Sequence, residues 1–77
     1  MMITGLHLRL YRTICDMTIR ELAVKLDVHY STLSRIEAGY VPVNSNIRRA
    51  YEEIAPLAVR VAIDNLVKQH NKTKGVK

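Results

Sequence analysis

Residues 18 to 39, TIRELAVKLDVHYSTLSRIEAG, constrain this chain more than any other stretch. Thr18 is followed three residues later by Glu21, the spacing of a capping box, in which two orphan backbone amides at a helix start gain side-chain acceptors. Leu22, Ala23 and Leu26 then fall on one helical face. The periodicity breaks at Asp27-Val28-His29 and resumes over Tyr30 to Ala38 with Leu33 and Ile36 inside. Gly39 supplies the left-handed residue that stops a helix. Two helices this short, joined by three residues, must cross steeply to bury both apolar faces. Ala23 is small where the helices approach, and Val28 plugs their junction. Tyr30, Ser31, Ser34 and Arg35 are left pointing outward.

The flanking sequence completes a helical domain. Gly5 precedes a first helix expected from Leu6 to about Cys15, with Leu8, Tyr11 and Cys15 on one face. Asp16 and Met17 form a short connection. Val41-Pro42-Val43 is expected to be extended, because proline disfavours helix at the residue before it. Asn44 or Ser45 can cap a fourth helix ending near Ile54, its inner face made by Ile47, Ala50, Tyr51 and Ile54. Pro56 suits the first turn of a fifth helix running to about His70. There is no internal repeat, no low-complexity stretch and no sustained strand alternation. The expected fold is all-α with five helices: one domain over residues 1–70, helices 4 and 5 at about 45–70, and a flexible basic tail over 71–77.

Charge narrows the partners only modestly. The formal net charge is +5, but Lys72, Lys74 and Lys77 contribute three of the 12 basic residues. Without them, nine bases face seven acids, a net of +2 for the body of the chain. Net charge of that size is a weak preference for a polyanion. The single cysteine, Cys15, excludes an internal disulfide framework and suits a reducing cytosol. No run approaches the ~18 apolar residues that span a bilayer, and Met1 to Arg12 lack the pattern of a secretory signal. A cytoplasmic protein with no membrane association is expected. His7, His29 and His70 are scattered, and Cys15 has no Cys-x-x-Cys partner, so no metal or other cofactor is expected. No nucleophile, base and orienting group fall together, and no Gly-rich phosphate loop occurs, which argues against an enzyme. His29 and Ser31, two apart at a helix start, are not expected to face each other.

The outward face at the start of the third helix is the surface that a DNA major groove admits. Here a resemblance supports the residue-level reading. Leu22-Ala23, a turn, then Ser31-Thr32-Leu33-Ser34-Arg35-Ile36-Glu37-Ala38-Gly39 resembles the helix-turn-helix family of phage Cro proteins and repressor amino-terminal domains, often called XRE-like. The likeness covers roughly Leu8 to Gly39 and implies a compact lambda-repressor-like fold, with the helix-turn-helix at helices 2 and 3. Three positions depart from the family pattern. Asp27 stands where the turn usually has glycine; aspartate tolerates the left-handed conformation better than most residues. His29 replaces the usual serine or threonine cap of the third helix. Ile19 occupies a position often held by a glutamine that touches phosphate, so only a backbone amide is offered there.

Candidate contacts follow, each beside a plainer reading. Arg35 can donate two parallel hydrogen bonds to guanine O6 and N7, or serve as a solvated charge or phosphate contact. Ser31 and Ser34 are small and polar where a helix sits close to bases. Tyr30 can offer its hydroxyl to phosphate or its ring to a thymine methyl. The resemblance implies phosphate contacts at Thr18, Ile19, His29, Tyr40 and Asn44, although Thr18 is also explained as a cap, and Tyr40 and Asn44 as turn residues. Arg48 and Arg49 read as a solvated face that can reach the DNA backbone. The family further implies an ion pair between Arg12, late in the first helix, and Glu37, late in the third.

The last helix carries more apolar residues than one buried stripe requires: Leu57, Ala58, Val59, Val61, Ala62, Ile63, Leu66 and Val67. A homodimer would use the surplus, with Val59, Ile63, Leu66 and Val67 as interface candidates; otherwise a small domain wraps this helix in its core. A dimer presents two recognition helices one DNA turn apart, ~34 Å. The sequence therefore points to a transcriptional regulator that binds double-stranded operator DNA as a homodimer, with no room at this length for a separate effector domain. The alternative is a helical adaptor or antitoxin-type protein that uses the same scaffold to bind a protein partner, which Ile19 and the near-neutral body favour.

Overall fold

The computed structural model describes residues 2–75, and side chains through residue 70. Five helices follow one another: α1 Gly5–Ile14, α2 Ile19–Leu26, α3 Tyr30–Glu37, α4 Ser45–Ile54 and α5 Leu57–Gly75. Among the described residues there is no strand.

Local chemistry explains the boundaries. Thr18 accepts from the Glu21 amide and Glu21 reaches back to the Thr18 amide at 2.9 Å, closing the expected capping box. Asn44 starts α4 by accepting from the Ile47 amide at 2.8 Å. α1, α2 and α3 all stop in the same manner. Asp16, Asp27 and Gly39 take positive φ of 55°, 57° and 88°. The next amide then bonds back five residues: Met17 to the Arg12 carbonyl, Val28 to Ala23 and Tyr40 to Arg35. These bonds satisfy carbonyls that a helix end otherwise leaves open. Asp27 thus fills the left-handed turn position in place of glycine.

α1 is the hub. It packs on both α3 and α5, while α2 packs on α3 and α4. Leu8, Leu22, Leu33 and Ile63 are fully enclosed at the centre, with Ile36, Ile47 and Tyr51 beside them. Tyr11 and Tyr51 meet edge to face, ring centres 5.7 Å apart. Burial pushes the Tyr51 phenol up to about 12, so the ring stays neutral and serves as core. Gly5 lets the start of α1 come against the end of α3: a Cβ there would overlap the Ile36 carbonyl oxygen and sit 2.7 Å from its carbonyl carbon.

Four expectations change. Cys15 is not on the inner face of α1; the helix ends at Ile14 and its C-cap, Cys15, is exposed. Pro56 lies just outside α5, contributing its carbonyl to the Arg60 amide at 2.9 Å rather than forming the first helical turn. α5 continues to Gly75, beyond the expected end near His70. Of the tail expected over 71–77, residues 76 and 77 lie outside the described residues. Finally, His7, set aside on sequence, is buried. Its Nδ1 accepts from the Thr4 amide at 2.9 Å, which leaves Nε2 as the donor toward Asp64 of α5 at 3.4 Å. The bonds from Lys68 and His7 hold the Asp64 carboxyl below its ordinary range. No helix of the described residues is long and apolar enough to cross a membrane.

Candidate nucleic-acid interface

α3 divides cleanly into an anchored side and an open side. Leu33 and Ile36 are buried, while Tyr30, Ser34 and Arg35 are exposed and Ser31 is half-buried. The anchoring reaches beyond apolar contact. Glu37, at the end of α3, receives two parallel hydrogen bonds from Arg12 at the end of α1: Nε to Oε2 and Nη2 to Oε1, each 3.0 Å. Nη1 of Arg12 also donates to the Met17 carbonyl at 3.3 Å. The Glu37 side chain is 7% exposed and that of Arg12 22%. This paired geometry raises the Arg12 pKa chiefly through the hydrogen bonds to Glu37. A planar guanidinium fits a carboxylate in this way where lysine would not. The pair ties α1, the α1–α2 connection and α3 into one body.

The amino-terminal end of α3 is organised around aromatic rings. His29 is the N-cap, and its Nδ1 accepts from the Ser31 amide at 3.2 Å. The same nitrogen lies 2.7 Å from Ser31 Oγ. This corrects the expectation that His29 and Ser31 do not face each other. That expectation applies to two helical residues, whereas His29 has extended backbone and folds its ring back over the first turn. The Tyr30 ring packs against that of His29 with centres 4.7 Å apart. Arg20 of α2 lays its guanidinium over Tyr30, 3.9 Å from the ring centre. Sequence reasoning missed Arg20; its signal was an exposed arginine two residues past a cap, which pattern alone cannot join to a tyrosine ten positions on.

The expected phosphate-contact residues divide. Thr18 and Ile19 lie with Tyr30 and Ser34 around one groove of about 590 Å³, completed by Arg12 and Arg20. A smaller depression of about 260 Å³ adjoins it, adding Arg9, Glu37 and Ala38 to Arg12, Ile19 and Ser34. Ile19 is half-buried and packs its side chain on the core, so it offers no side-chain donor. Two hydrogen bonds to Thr18 hold the Glu21 carboxyl below its usual range, which keeps the cap charged and occupied. His29 packs against Tyr30 but does not itself line the groove, and Tyr40 is 83% exposed just beyond α3. Asn44 is remote from this groove, in a depression shared with Asp27 and Val28, and its Oδ1 is taken by the cap of α4. Among the described residues, Arg9, Arg20 and Arg35 have no carboxylate within ion-pairing distance.

The expected dimer residues also divide. Ile63 and Val67 are buried inside this chain's own core and are not available to a partner; Val59 packs against that core and is half-buried, and Leu66 is exposed. The reason is rotational. Residues 59, 63 and 67 form the stripe of α5 that faces α1, and the apolar surplus lies on the opposite side as Leu57, Ala58, Val61 and Ala62, with Leu66 at its edge.

A family model described as helix-turn-helix, of the Cro/C1 type, matches residues 8–49, over half of the chain. No curated protein and no solved structure matches the chain significantly.

Proposed function

The chain belongs to the Cro/C1-type helix-turn-helix family, and from that premise we propose that it is a sequence-specific transcriptional regulator acting on operator DNA as a homodimer. The observation that carries this reading is the division of α3. Its inner side is fixed by Leu33, Ile36 and the Arg12–Glu37 pair, while Arg35 and Ser34 stand open on the outer side with no competing carboxylate on Arg35. A side chain that must find bases in a groove gains from a helix that cannot shift. Arg35 is the base reader, donating to guanine O6 and N7; Tyr30, Ser31 and Ser34 contact neighbouring bases or thymine methyls. Thr18, His29 and Tyr40 border the phosphates that set the register.

Arg35→Ala is expected to weaken binding to the chain's preferred duplex by about 1–3 kcal/mol, a factor of roughly 5 to 150, and to relax preference at one base pair. Selection of duplexes from a random pool, followed by titration of both proteins, measures this. Equal, weak binding of wild type and variant to every duplex would sink the specific-reader idea. A protein partner that co-purifies while DNA is not retained would instead favour the adaptor or antitoxin-type reading, which the donor-free Ile19 supports.

The dimer part of the reading is supported by the outer stripe of α5, where Leu57 is 66% and Val61 48% exposed. Apolar side chains clustered on one helix face suit a self-complementary interface. Leu57→Glu combined with Val61→Glu is expected to leave the far-UV spectrum intact, halve the mass seen by sedimentation and weaken operator binding. A wild-type chain that is monomeric both alone and on a symmetric duplex would refute it.

A further inference from the structure

Two cations border the groove between the start of α2 and the start of α3, and they differ in kind. Arg12 is committed: its Nε and Nη2 are bonded to Glu37 and its Nη1 to a backbone carbonyl. Arg20 is exposed, and its guanidinium lies 3.9 Å over the centre of Tyr30. Among the described residues it has no carboxylate partner. A guanidinium held over a ring face by cation–π attraction does not spend its N–H donors on an oxygen acceptor. Stacking therefore holds the group in place without using the donors that bind an oxyanion.

We infer that Arg20, seated on Tyr30, is the side-chain donor to one backbone phosphate of the bound duplex, at the groove formed by Thr18, Ile19 and Ser34. The inference rests on the DNA-binding reading above and adds a residue and a division of labour to it. Ile19 has no hydrogen-bonding side-chain group, and Arg12 has its charge balanced by Glu37 and three of its five N–H donors taken. Arg20 is the groove residue with a free charge and a fixed position. Tyr30 then has two duties, presenting its edge to the major groove and orienting Arg20. It is a positioning residue for the phosphate contact, so the reading helix and the backbone grip are coupled through one ring.

The test uses the full chain, the duplex that the wild type selects from a random pool, and a scrambled duplex of equal length. Affinities are titrated across a salt series for wild type, Arg20→Ala, Arg20→Lys, Tyr30→Leu and the Arg20→Ala/Tyr30→Leu pair. A phosphate contact contributes about 0.9 to the slope of log affinity against log salt. Arg20→Ala is expected to lower that slope by about one and to weaken selected and scrambled duplexes by a similar factor, roughly tenfold. Arg20→Lys is expected to keep the slope while losing part of the affinity, because a lysine keeps the charge without the planar stack. Tyr30→Leu is expected to weaken the scrambled duplex more in the Arg20 background than once residue 20 is alanine.

An unchanged slope and affinity in Arg20→Ala overturns the contact while leaving the regulator reading intact. Loss confined to the selected duplex overturns it in favour of base reading by Arg20. Equal effects of Tyr30→Leu on the scrambled duplex in both backgrounds overturn the positioning role. Failure of the wild type to retain any duplex overturns the reading and the inference together.

Discussion

Gly5→Ala is expected to destabilise the fold by about 2–3 kcal/mol, seen as a fall in the midpoint of urea unfolding. The direction is the informative part. Alanine in a helix ordinarily gains up to ~1 kcal/mol over glycine, so helix propensity alone points the other way. Packing decides the sign here. The added Cβ would overlap the Ile36 carbonyl oxygen and crowd the Glu37 Cα at 3.0 Å, and both belong to backbone that cannot rotate aside. The Ile36 carbonyl also receives the Gly39 amide at 3.1 Å in the turn that ends α3. Relief by displacement would therefore pull on the end of the helix that carries Arg35. A domain of this size holds on the order of 5 kcal/mol in total, so the variant would lose about half of its margin. A midpoint equal to or above that of the wild type would show that α1 and α3 are less closely apposed than described.

The second large effect is expected at Glu37. Removing one partner of an enclosed ion pair leaves an uncompensated charge, typically at a cost of about 3–5 kcal/mol. Arg12 keeps 22% of its side chain exposed, so water relieves part of that, and about 2–4 kcal/mol is expected for Glu37→Ala. Glu37→Gln should fall between alanine and wild type, since an amide accepts a hydrogen bond without balancing the charge. Replacing both partners, Arg12→Met with Glu37→Leu, should recover most of the loss, because the desolvation of two ions disappears with them. Urea unfolding of the four proteins measures these differences. If Glu37→Ala lies within about 0.5 kcal/mol of wild type, the pair is no more than an ordinary surface contact.

Most of the helical frame was legible in the sequence because local signals agreed with one another. Thr18 and Glu21 announce the start of α2, Gly39 the end of α3, and the spacing of Leu22, Ala23, Leu26, Leu33 and Ile36 tells which sides are inside. Asp27 was readable through the family resemblance, since it stands where the turn usually has glycine and aspartate is among the few residues that accept the left-handed conformation. The failures share another cause. Periodicity shows that α5 has surplus apolar residues but not which half of the circumference meets α1, and so Ile63 and Val67 were placed on the wrong side. Cys15 continued a helical period that the left-handed Asp16 had already ended. His7 and Arg20 depend on partners far along the chain or across a turn, Asp64 and Tyr30, and nothing in their own neighbourhood reveals them. His29 was misjudged because a capping residue has non-helical backbone, where rules for neighbours on a helix do not hold.

The position of α1 has a consequence for the arithmetic of an operator. Its first turn lies directly on the end of α3, and His7 links that same turn to Asp64 on α5. The reading helix and the helix with the exposed apolar stripe are thus joined through one short rod, with no hinge between them. In a dimer joined through that stripe, the separation and relative rotation of the two reading helices would be constants of the fold. The duplex would have to supply all the adjustment. One base pair added between half-sites turns them by about a tenth of a revolution, and that misphasing would be met by twisting DNA rather than by flexing protein.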